Sequence, residues 1–545
     1  MQGIRVRADF ARIEPTPALP ILARVEEPEH RRRLAWSTAI FASATALSRV
    51  LGLLRESVAS YYFGVRGPIN AFQIAFLIPN TIRALVADAA LSSAFVPVFS
   101  ELLAKDQRAR AWRVASSVLW LFLLGLAALT ALYVLLAPVL MRAFPYDQDL
   151  LVGLSRLLFP VVALLGVFGI VVGILNSYDE FTVPALTPVA WNLVIILGLV
   201  LGVPRADTID AQLYVYAGSI LVATLVQLLL PLPWLRGRDD RLRVAIDWRV
   251  PAVRRVFVLM FPVALGLGLI NLNALIDGIV AARQIDPEIA PRAIDAAFRI
   301  YMLPQGIFSV AVATVLFPTL SRLAARGDRD GFRETVNVGI RQIAFLLVPG
   351  SVLAAVLAVP IVRVIYQRGE FAPDQTPVVA AALAAFALGL TFNGFMLMLN
   401  RAFFSLQRPW LPTAVALGNL ALNLVLDLLL YPLGVWGIPL ATSLVNIAGT
   451  LALLLLLRRE FGGFGIRETT VTLVRVVAAG AVLAVVAFGL WWLLDDALGR
   501  SFVAQVTSLG IALVAGAFAY LAACRAFGVR ELEALRSLRR RNRRA

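Results

Sequence analysis

Long apolar segments recur from one end of the chain to the other, and they restrict the fold more than any other feature. Of the 545 residues, 60% are hydrophobic and only 15% are charged, whereas a soluble protein carries about 25% charged residues. About 20 apolar residues in a helix cross the hydrocarbon of a bilayer, where every backbone polar group must be paired internally. The chain is therefore predicted to be an all-α polytopic membrane protein.

We predict about fourteen transmembrane helices. Their approximate bounds, in chain order, are 34–62, 69–104, 111–143, 150–177, 184–204, 211–236, 250–284, 290–325, 333–368, 375–405, 410–430, 434–459, 468–496 and 501–527. Several of these spans are longer than a bilayer requires, so we expect them to tilt, bend or extend beyond it.

A faint internal repeat relates the two halves of the chain. Residues 175–192 share a pattern of Leu-Asn, Phe, two prolines and Asn with residues 399–419, and residues 78–102 resemble residues 303–323 at a similar offset. Two six-helix lobes that face each other form an alternating-access transporter with its substrate near the midplane. The alternative is a chance similarity of helices punctuated by Pro and Asn.

The repeat and the spans together give a domain organisation. It consists of an N-terminal tail (1–33), an N-lobe of spans 1–6 (34–236), a C-lobe of spans 7–12 (250–459), an added helix pair (468–527) and a basic C-terminal tail (528–545).

Arginine placement predicts the orientation. The connections after spans 2, 6 and 8 and the C-terminal tail are rich in arginine, whereas the odd-numbered connections hold few, among them Arg283 and Arg292 after span 7. By the positive-inside rule both termini are cytoplasmic. Because the net charge of +16 follows this topology, we expect no nucleic-acid partner.

Composition excludes several kinds of chemistry. Cys524 is the single cysteine and His30 the single histidine, so one chain can form neither a disulfide nor a cysteine or histidine metal cluster. A membrane glycosyltransferase or phosphatase would need loop carboxylates at acid/base or metal-binding spacing, and the short connections offer none. We expect a transporter and no enzyme.

Charged side chains inside the first, second and eighth spans indicate an anion-binding cavity. They are Arg49, Arg55, Glu56, Arg83, Asp88 and Arg299. An arginine at the centre of a membrane helix costs about 2.5–3.5 kcal/mol on insertion scales. Guanidinium groups match phosphate oxygens bidentately and stay charged, which favours a substrate that carries phosphate or diphosphate. The alternative is that each arginine pairs with Glu56 or Asp88, or extends to an interface.

A second polar group indicates a cation site. Asn423 and Asp427 are four residues apart on one face of span 11, Asp277 lies in span 7, and Thr442 lies in span 12. Hard oxygen ligands without histidine or thiolate suit a small hard cation such as Na⁺. The alternative is hydrogen bonding between helices.

Several motifs resemble the bacterial MviN/MurJ family, the flippases of the peptidoglycan precursor lipid II. The resemblance rests on Ser48–Gly52 with Arg55, on Ile78–Asn80 with Arg83, on Ser93–Pro97 and on Gln367–Phe371. It implies a fold of the multidrug/oligosaccharidyl-lipid/polysaccharide exporter type with a cationic central cavity.

The resemblance also implies roles for particular residues. Arg49, Arg55, Arg83 and Arg299 match the family's essential arginines, thought to grip the lipid II diphosphate. Asp277, Asn423, Asp427 and Thr442 fall where some members bind Na⁺, with Ser443 as a rival for Thr442. A groove between spans 13 and 14 would receive the undecaprenyl tail.

The chain departs from the family pattern at three positions. Many members carry an acidic residue where this chain has Asn70, and an Asp where it has Phe298, while Asp88 replaces a more usual Glu. The changes at Asn70 and Phe298 make the cavity more positive.

The resulting expectation is a monomeric lipid II flippase of the bacterial cytoplasmic membrane. Its partners would be lipid II and membrane lipids, with Na⁺ as a coupling ion and no other cofactor. An exporter of another lipid-linked oligosaccharide or of drugs is the alternative, although a drug exporter would favour an aromatic and acidic lining over four arginines.

Overall fold

The computed structural model describes residues 28–86, 89–461 and 466–532, and the regular structure of these residues is helical. The first nine helices are α1 (Pro28–Phe63), α2 (Ile69–Val86), α3 (Ala89–Ala104), α4 (Arg108–Met141), α5 (Gln148–Leu158), α6 (Val161–Ser177), α7 (Thr182–Gly202), α8 (Ile209–Leu229) and α9 (Pro251–Val280). The other nine are α10 (Ala290–Pro304), α11 (Val310–Arg326), α12 (Arg329–Val356), α13 (Ala358–Tyr366), α14 (Gln375–Ser405), α15 (Trp410–Leu430), α16 (Gly437–Phe461), α17 (Ile466–Leu498) and α18 (Phe502–Ala526).

The all-helical membrane architecture predicted from hydropathy is confirmed. Within the described residues, eleven helical segments are long and apolar enough to cross a membrane. Their ends lie close to those predicted, except that the span predicted at 333–368 ends at Val356 and is followed by the separate helix α13. The other three predicted spans, 34–62, 69–104 and 250–284, are not among these eleven segments, so the count of fourteen stays a prediction. Most of the two predicted tails, and Asp88, lie outside the described residues.

Three of the long spans are interrupted, as their excess length predicts. Pro160, which has no N–H to donate, separates α5 from α6, and a break at Leu357 separates α12 from α13. Between α10 and α11 the chain forms a π-helical turn, Gln305–Ser309, directly after Pro304. Such turns are frequent at functional sites, and this one borders the cavity described below.

Buried apolar side chains form separate cores along the chain. One large cluster extends from α10 to α18, while the clusters of the first half come from α1 to α8, together with Val253 and Val256 of α9. Helix α9 packs on α2 and α3 on one side and on α15 on the other. It therefore touches both halves of the chain.

The α1–α2 turn (residues 64–68) joins these halves on the side predicted to face outward. The Gly67 amide donates to the Glu288 carbonyl at 2.8 Å, and the Glu370 amide donates to the Tyr61 carbonyl at 2.8 Å. Gly64 and Gly369 sit in the left-handed region at φ +60° and +59°. The backbones approach so closely that a Cβ on Gly64 would lie 2.6 Å from the Glu370 carbonyl oxygen.

Replacing Gly369 with Ala should open this side of the molecule. The new Cβ would collide with the Tyr61 carbonyl oxygen and lie 2.8 Å from Tyr61 Cδ2, and the left-handed backbone adds about 1–2 kcal/mol of strain. We expect a longer distance between spin labels at exposed positions 66 and 374, measured by pulsed electron paramagnetic resonance.

Gly327→Ala is the matched control, because Gly327 has φ +69° but open space around its Cα. It introduces similar backbone strain without a contact between the halves. A label distance that is the same in G369A, G327A and the unsubstituted protein would contradict the prediction.

Candidate functional site

The carboxylate of Glu56 on α1 lies at the centre of a buried ion network. Its side chain is 3% exposed and accepts a hydrogen bond from Arg55 Nη2. Arg292 Nη1 of α10 donates to Glu56 Oε2 at 2.9 Å, and Arg299 Nε lies 3.9 Å from Glu56 Oε1. In a low-dielectric interior a charge is tolerated only when it is paired and hydrogen-bonded. Glu56 therefore fixes α1 to α10.

Asp295 is the second carboxylate of this network. It accepts from Arg292 Nη1 at 3.1 Å and lies 3.1 Å from Arg299 Nη2. The three residues follow one another at i, i+3 and i+7 on α10, so they share one helix face. Three guanidinium groups against two carboxylates leave one net positive charge. Arg299, with 39% of its side chain exposed, is the member that presents this charge to the cavity.

Arg55 is held by residues of its own half of the chain. Besides Glu56, it donates to Asn192 Oδ1 at 3.2 Å, and its guanidinium carbon lies 4.8 Å from the centre of the Trp191 ring. The residue is 7% exposed. In this conformation Arg55 holds Glu56 in place and is not open to a ligand.

Arg49 lies against the π-helical turn of the other half. A Cβ on Gly306 would collide with all three terminal atoms of the Arg49 guanidinium, so the absence of a side chain at Gly306 creates the space that Arg49 occupies. The contact places a cation one residue from Gln305, which lines the cavity.

Arg83 lies in the last turn of α2. Its Nε and Nη2 donate to Asn80 Oδ1 at 3.2 and 3.0 Å, and Asn80 lines the cavity. The structure thus brings Arg55, Glu56 and Arg299 into one network, with Arg49 and Arg83 on separate contacts.

Arg292 was predicted from the sequence to lie in the connection after span 7, and this prediction is wrong. The structure places it in the first turn of α10 and leaves it 3% exposed. The roles of Arg292 and Asp295 were not predicted from the sequence. The pattern that could have revealed them is their spacing to Arg299 in an apolar segment, since three charges on one helix face at the end of a span are unusual.

Asn70 on α2 connects the α1–α2 turn to the start of α10. Its Nδ2 donates to the carbonyls of Val65, Gly67 and Glu288, and its Oδ1 accepts from the Arg292 amide at 2.9 Å. An amide can donate and accept at once, whereas an ionised carboxylate could only accept and would face three carbonyl oxygens. Asn70, at a position where many family members carry an acidic residue, therefore suits the closed arrangement seen here.

Arg299 opens into a cavity of about 550 Å³ between the two halves. Much of its polar lining consists of amide side chains, among them Asn80, Gln305 and Asn393. Phe298 is 36% exposed and packs on Tyr301 and Phe386, with ring centres 5.6 and 5.5 Å away. The cavity wall is therefore aromatic at Phe298, where many family members carry an Asp.

The predicted cation ligands meet at the junction of α9 and α15. Asn423 Nδ2 donates to Asp277 Oδ1 at 2.6 Å and to Asp427 Oδ2 at 2.8 Å, and both α15 side chains are fully buried. Among the described residues, Asn423 Oδ1 and Asp427 Oδ1 have no hydrogen-bond partner. Two buried carboxylates that share one amide need a proton or a bound cation between them, and the oxygens present fit a small cation.

Thr442 and its rival Ser443 differ in where they point. Thr442 lines the same cavity and donates to the Ile438 carbonyl at 3.3 Å. Ser443 is buried and donates to the Ala385 carbonyl at 2.6 Å. The Thr442 hydroxyl is thus on the cavity side, while that of Ser443 bonds to α14.

Residues 59–528 match the family described as "Lipid II flippase MurJ". Among curated relatives, the "Probable lipid II flippase MurJ" of Rhizobium meliloti (strain 1021) is 30% identical over 81% of this chain and 84% of its own length. The protein of the same description from Vibrio cholerae serotype O1 is 30% identical over 85% and 90%.

Solved structures give a concordant result. A structure of "Lipid II flippase MurJ, inward closed conformation" superimposes with a TM-score of 0.73 at 25% identity, covering 90% of this chain and 98% of the other. An inward-facing MATE transporter of the MOP superfamily has a TM-score of 0.62 at 17% identity over 78% and 98% of the two chains. The second likeness concerns the fold alone.

Replacing Glu56 with Gln should destabilise the protein strongly. It leaves the guanidinium groups of Arg55 and Arg292 buried without their shared carboxylate, and breaking a buried pair costs about 3–5 kcal/mol. We expect a large fall in the midpoint of thermal unfolding in detergent, with partial recovery in E56Q/R292M because the second change removes one uncompensated charge.

Asp330→Asn provides the comparison, because its ion pair with Arg333 is exposed to solvent and such pairs contribute little. An E56Q protein as stable as D330N would show that the network does not hold α1 to α10.

Proposed function

Because this chain belongs to the family of MurJ lipid II flippases, we propose that it moves lipid II from the inner to the outer leaflet of the bacterial cytoplasmic membrane by alternating access. Lipid II is the undecaprenyl-diphosphate-linked precursor of peptidoglycan. The observation that carries the proposal is the Arg299 guanidinium, which is exposed in the cavity between the two halves and belongs to a network of three arginines and two carboxylates.

The arginines would bind the diphosphate. Guanidinium forks form short, charge-assisted hydrogen bonds with phosphate oxygens. Arg299 has the open side chain, and Arg49 lies against Gly306 of the π-helical turn that follows α10. Arg55 and Arg292 keep Glu56 in place, so that the accessible charge faces the cavity. No bond of the substrate would be made or broken.

The closed α1–α2 turn supports an alternating mechanism. In the orientation we propose, with both termini cytoplasmic, this turn lies on the outer side, and Asn70 joins it to α10. The cavity would then receive the headgroup from the cytoplasmic side. Opening of the Asn70 and Gly369 contacts would release the headgroup outside, while the undecaprenyl tail stays in the groove that we assign to α17 and α18. We assign these steps to a single chain acting as a monomer.

Na⁺ would be held by Asp277, Asn423, Asp427 and Thr442. When bound, the ion supplies a positive charge between two buried carboxylates, and its movement down a potential of 100 mV releases about 2.3 kcal/mol per elementary charge. The partnerless oxygens of Asn423 and Asp427, within the described part of the chain, support this assignment.

Arg299→Ala should abolish most of the translocation. Loss of hydrogen bonds to a charged group costs about 1.5–3 kcal/mol, which corresponds to a reduction of about 10–150-fold. The fold should survive because Asp295 keeps Arg292 as a partner. The measurement is outer-leaflet lipid II in a host depleted of its own flippase and complemented with each variant.

Arg156→Ala is the matched control, since Arg156 is exposed on α5 and, within the described part of the chain, donates to the backbone carbonyl of Val134. It should translocate like the unsubstituted protein. Full translocation by R299A would refute the anion-binding role, and a failure of the unsubstituted protein to restore lipid II translocation would refute the function.

Sodium should stabilise the folded protein specifically. A ligand that binds only the folded state raises its stability by mass action, so NaCl should raise the thermal midpoint above that in choline chloride of equal ionic strength. Asp427→Asn should remove this difference because it deletes a charged ligand, whereas Asp210→Asn, on the exposed start of α8, should retain it. Equal midpoints in the two salts would contradict the site.

A further inference from the structure

Four polar side chains form a continuous hydrogen-bonded chain along one wall of the cavity. Gln305 Nε2 donates to Asn393 Oδ1 at 2.6 Å, Asn393 Nδ2 donates to Asn446 Oδ1 at 3.4 Å, and Asn446 Nδ2 approaches the Tyr301 hydroxyl at 3.5 Å. They come from α10 and the π-helical turn, from α14 and from α16. All four line the cavity, and we call them the amide chain.

The amide chain has unused hydrogen-bonding capacity. A primary amide carries two N–H donors and an oxygen with two lone pairs, and the contacts above use only part of this capacity. Gln305 Oε1 is buried and has no partner among the described residues. A buried polar group without a partner is costly, and a helix bundle that needed only packing here would be more stable with apolar side chains. The open positions therefore fit a polar ligand in the cavity.

The amide chain adjoins the cations that we assign to the diphosphate. Gln305 directly precedes Gly306, against which Arg49 lies, and Arg299 lies on α10 six residues before Gln305 and lines the same cavity. A ligand held by these arginines would have its next chemical group beside the amides.

An aromatic cluster completes this wall. Phe298, Tyr301 and Phe386 pack together with ring centres 5.3–5.6 Å apart, and all three line the cavity. Sugar rings present hydroxyls that both donate and accept at their edges, and C–H groups on their faces. Amides suit the edges, and aromatic rings suit the faces. The wall carries no formal charge, so an uncharged group fits it better than a second anion.

We propose that the amide chain is the subsite for the uncharged sugar attached directly to the diphosphate, so that it distinguishes a glycosylated lipid carrier from a bare one. This inference rests on the proposed function and adds a recognition step to it. Substrates without a sugar would still meet the arginines and would lose only the contacts to the amide chain.

The test compares two ligands on purified, full-length protein in detergent. They are undecaprenyl diphosphate, which lacks sugars, and lipid II, and their dissociation constants are measured by native mass spectrometry. Asn393→Leu removes the middle of the amide chain and should weaken lipid II binding at least tenfold while changing undecaprenyl diphosphate binding less than twofold. Arg299→Ala should weaken both ligands.

Gln305→Met is the second variant, because it changes a partly exposed wall residue with little change in volume and should give the same selective loss if Asn393→Leu fails to fold. Gln227→Met is the matched control, since Gln227 is a buried amide on α8 away from this wall. It should leave both dissociation constants unchanged.

Each outcome decides the proposal. A selective loss of lipid II affinity supports it. A parallel loss of both ligands, accompanied by a lower thermal midpoint, would show that the amide chain only holds α10, α14 and α16 together, and unchanged affinities would also overturn it. If the unsubstituted protein binds neither ligand, the proposed function itself fails, which separates that result from a failure of the subsite alone.

Discussion

The structure depends on one buried carboxylate, that of Glu56, because it joins residues that are far apart in the chain. Arg55 is its neighbour in sequence, while Arg292 is 236 residues away. Ionised groups survive in an apolar bundle only when their charges are matched and their hydrogen bonds are made. The buried ion pair between Glu56 and Arg292 thus fixes the separation of α1 and α10. The positions of Arg299, of Arg49 against Gly306 and of the α1–α2 turn all follow from that separation.

The cavity combines three kinds of polar group, each for a different purpose. Excess positive charge gathers at Arg299, where Asp295 and Glu56 are too few to neutralise three guanidinium groups. Neutral amides occupy the neighbouring wall from Gln305 to Asn446. Buried carboxylates lie at Asp277 and Asp427, where the Asn423 amide donates to both. All three groups line one cavity, and in the proposed cycle they would take an anionic, a neutral and a cationic partner.

The sequence predicted the helices better than the site. Span limits came close because hydropathy and the bilayer thickness act locally, so that 375–405 was predicted and α14 covers Gln375–Ser405. Arg299 was found because a charge inside an apolar segment is visible without a structure. Arg292 was misplaced because a residue at the end of a span resembles a loop residue until its distant partner is known. The Gly306 contact and the amide chain escaped for the same reason, since each joins helices whose mutual arrangement no local pattern encodes.

The same contacts explain why opening of the outer side would depend on the substrate in the proposed cycle. Separating α10 from α1 breaks the ion pair between Glu56 and Arg292. Glu56 keeps Arg55 and Arg292 keeps Asp295, so the cost lies below the roughly 3–5 kcal/mol of a buried charge left without any partner. A diphosphate beside Arg299 supplies negative charge at the point where Glu56 withdraws, so the loaded protein could open at lower cost than the empty one. Asn70 adds no charge to this balance because an amide breaks its hydrogen bonds without becoming ionised. The ion network would then couple binding to opening, while the Asn70 contacts set only the stability of the closed state.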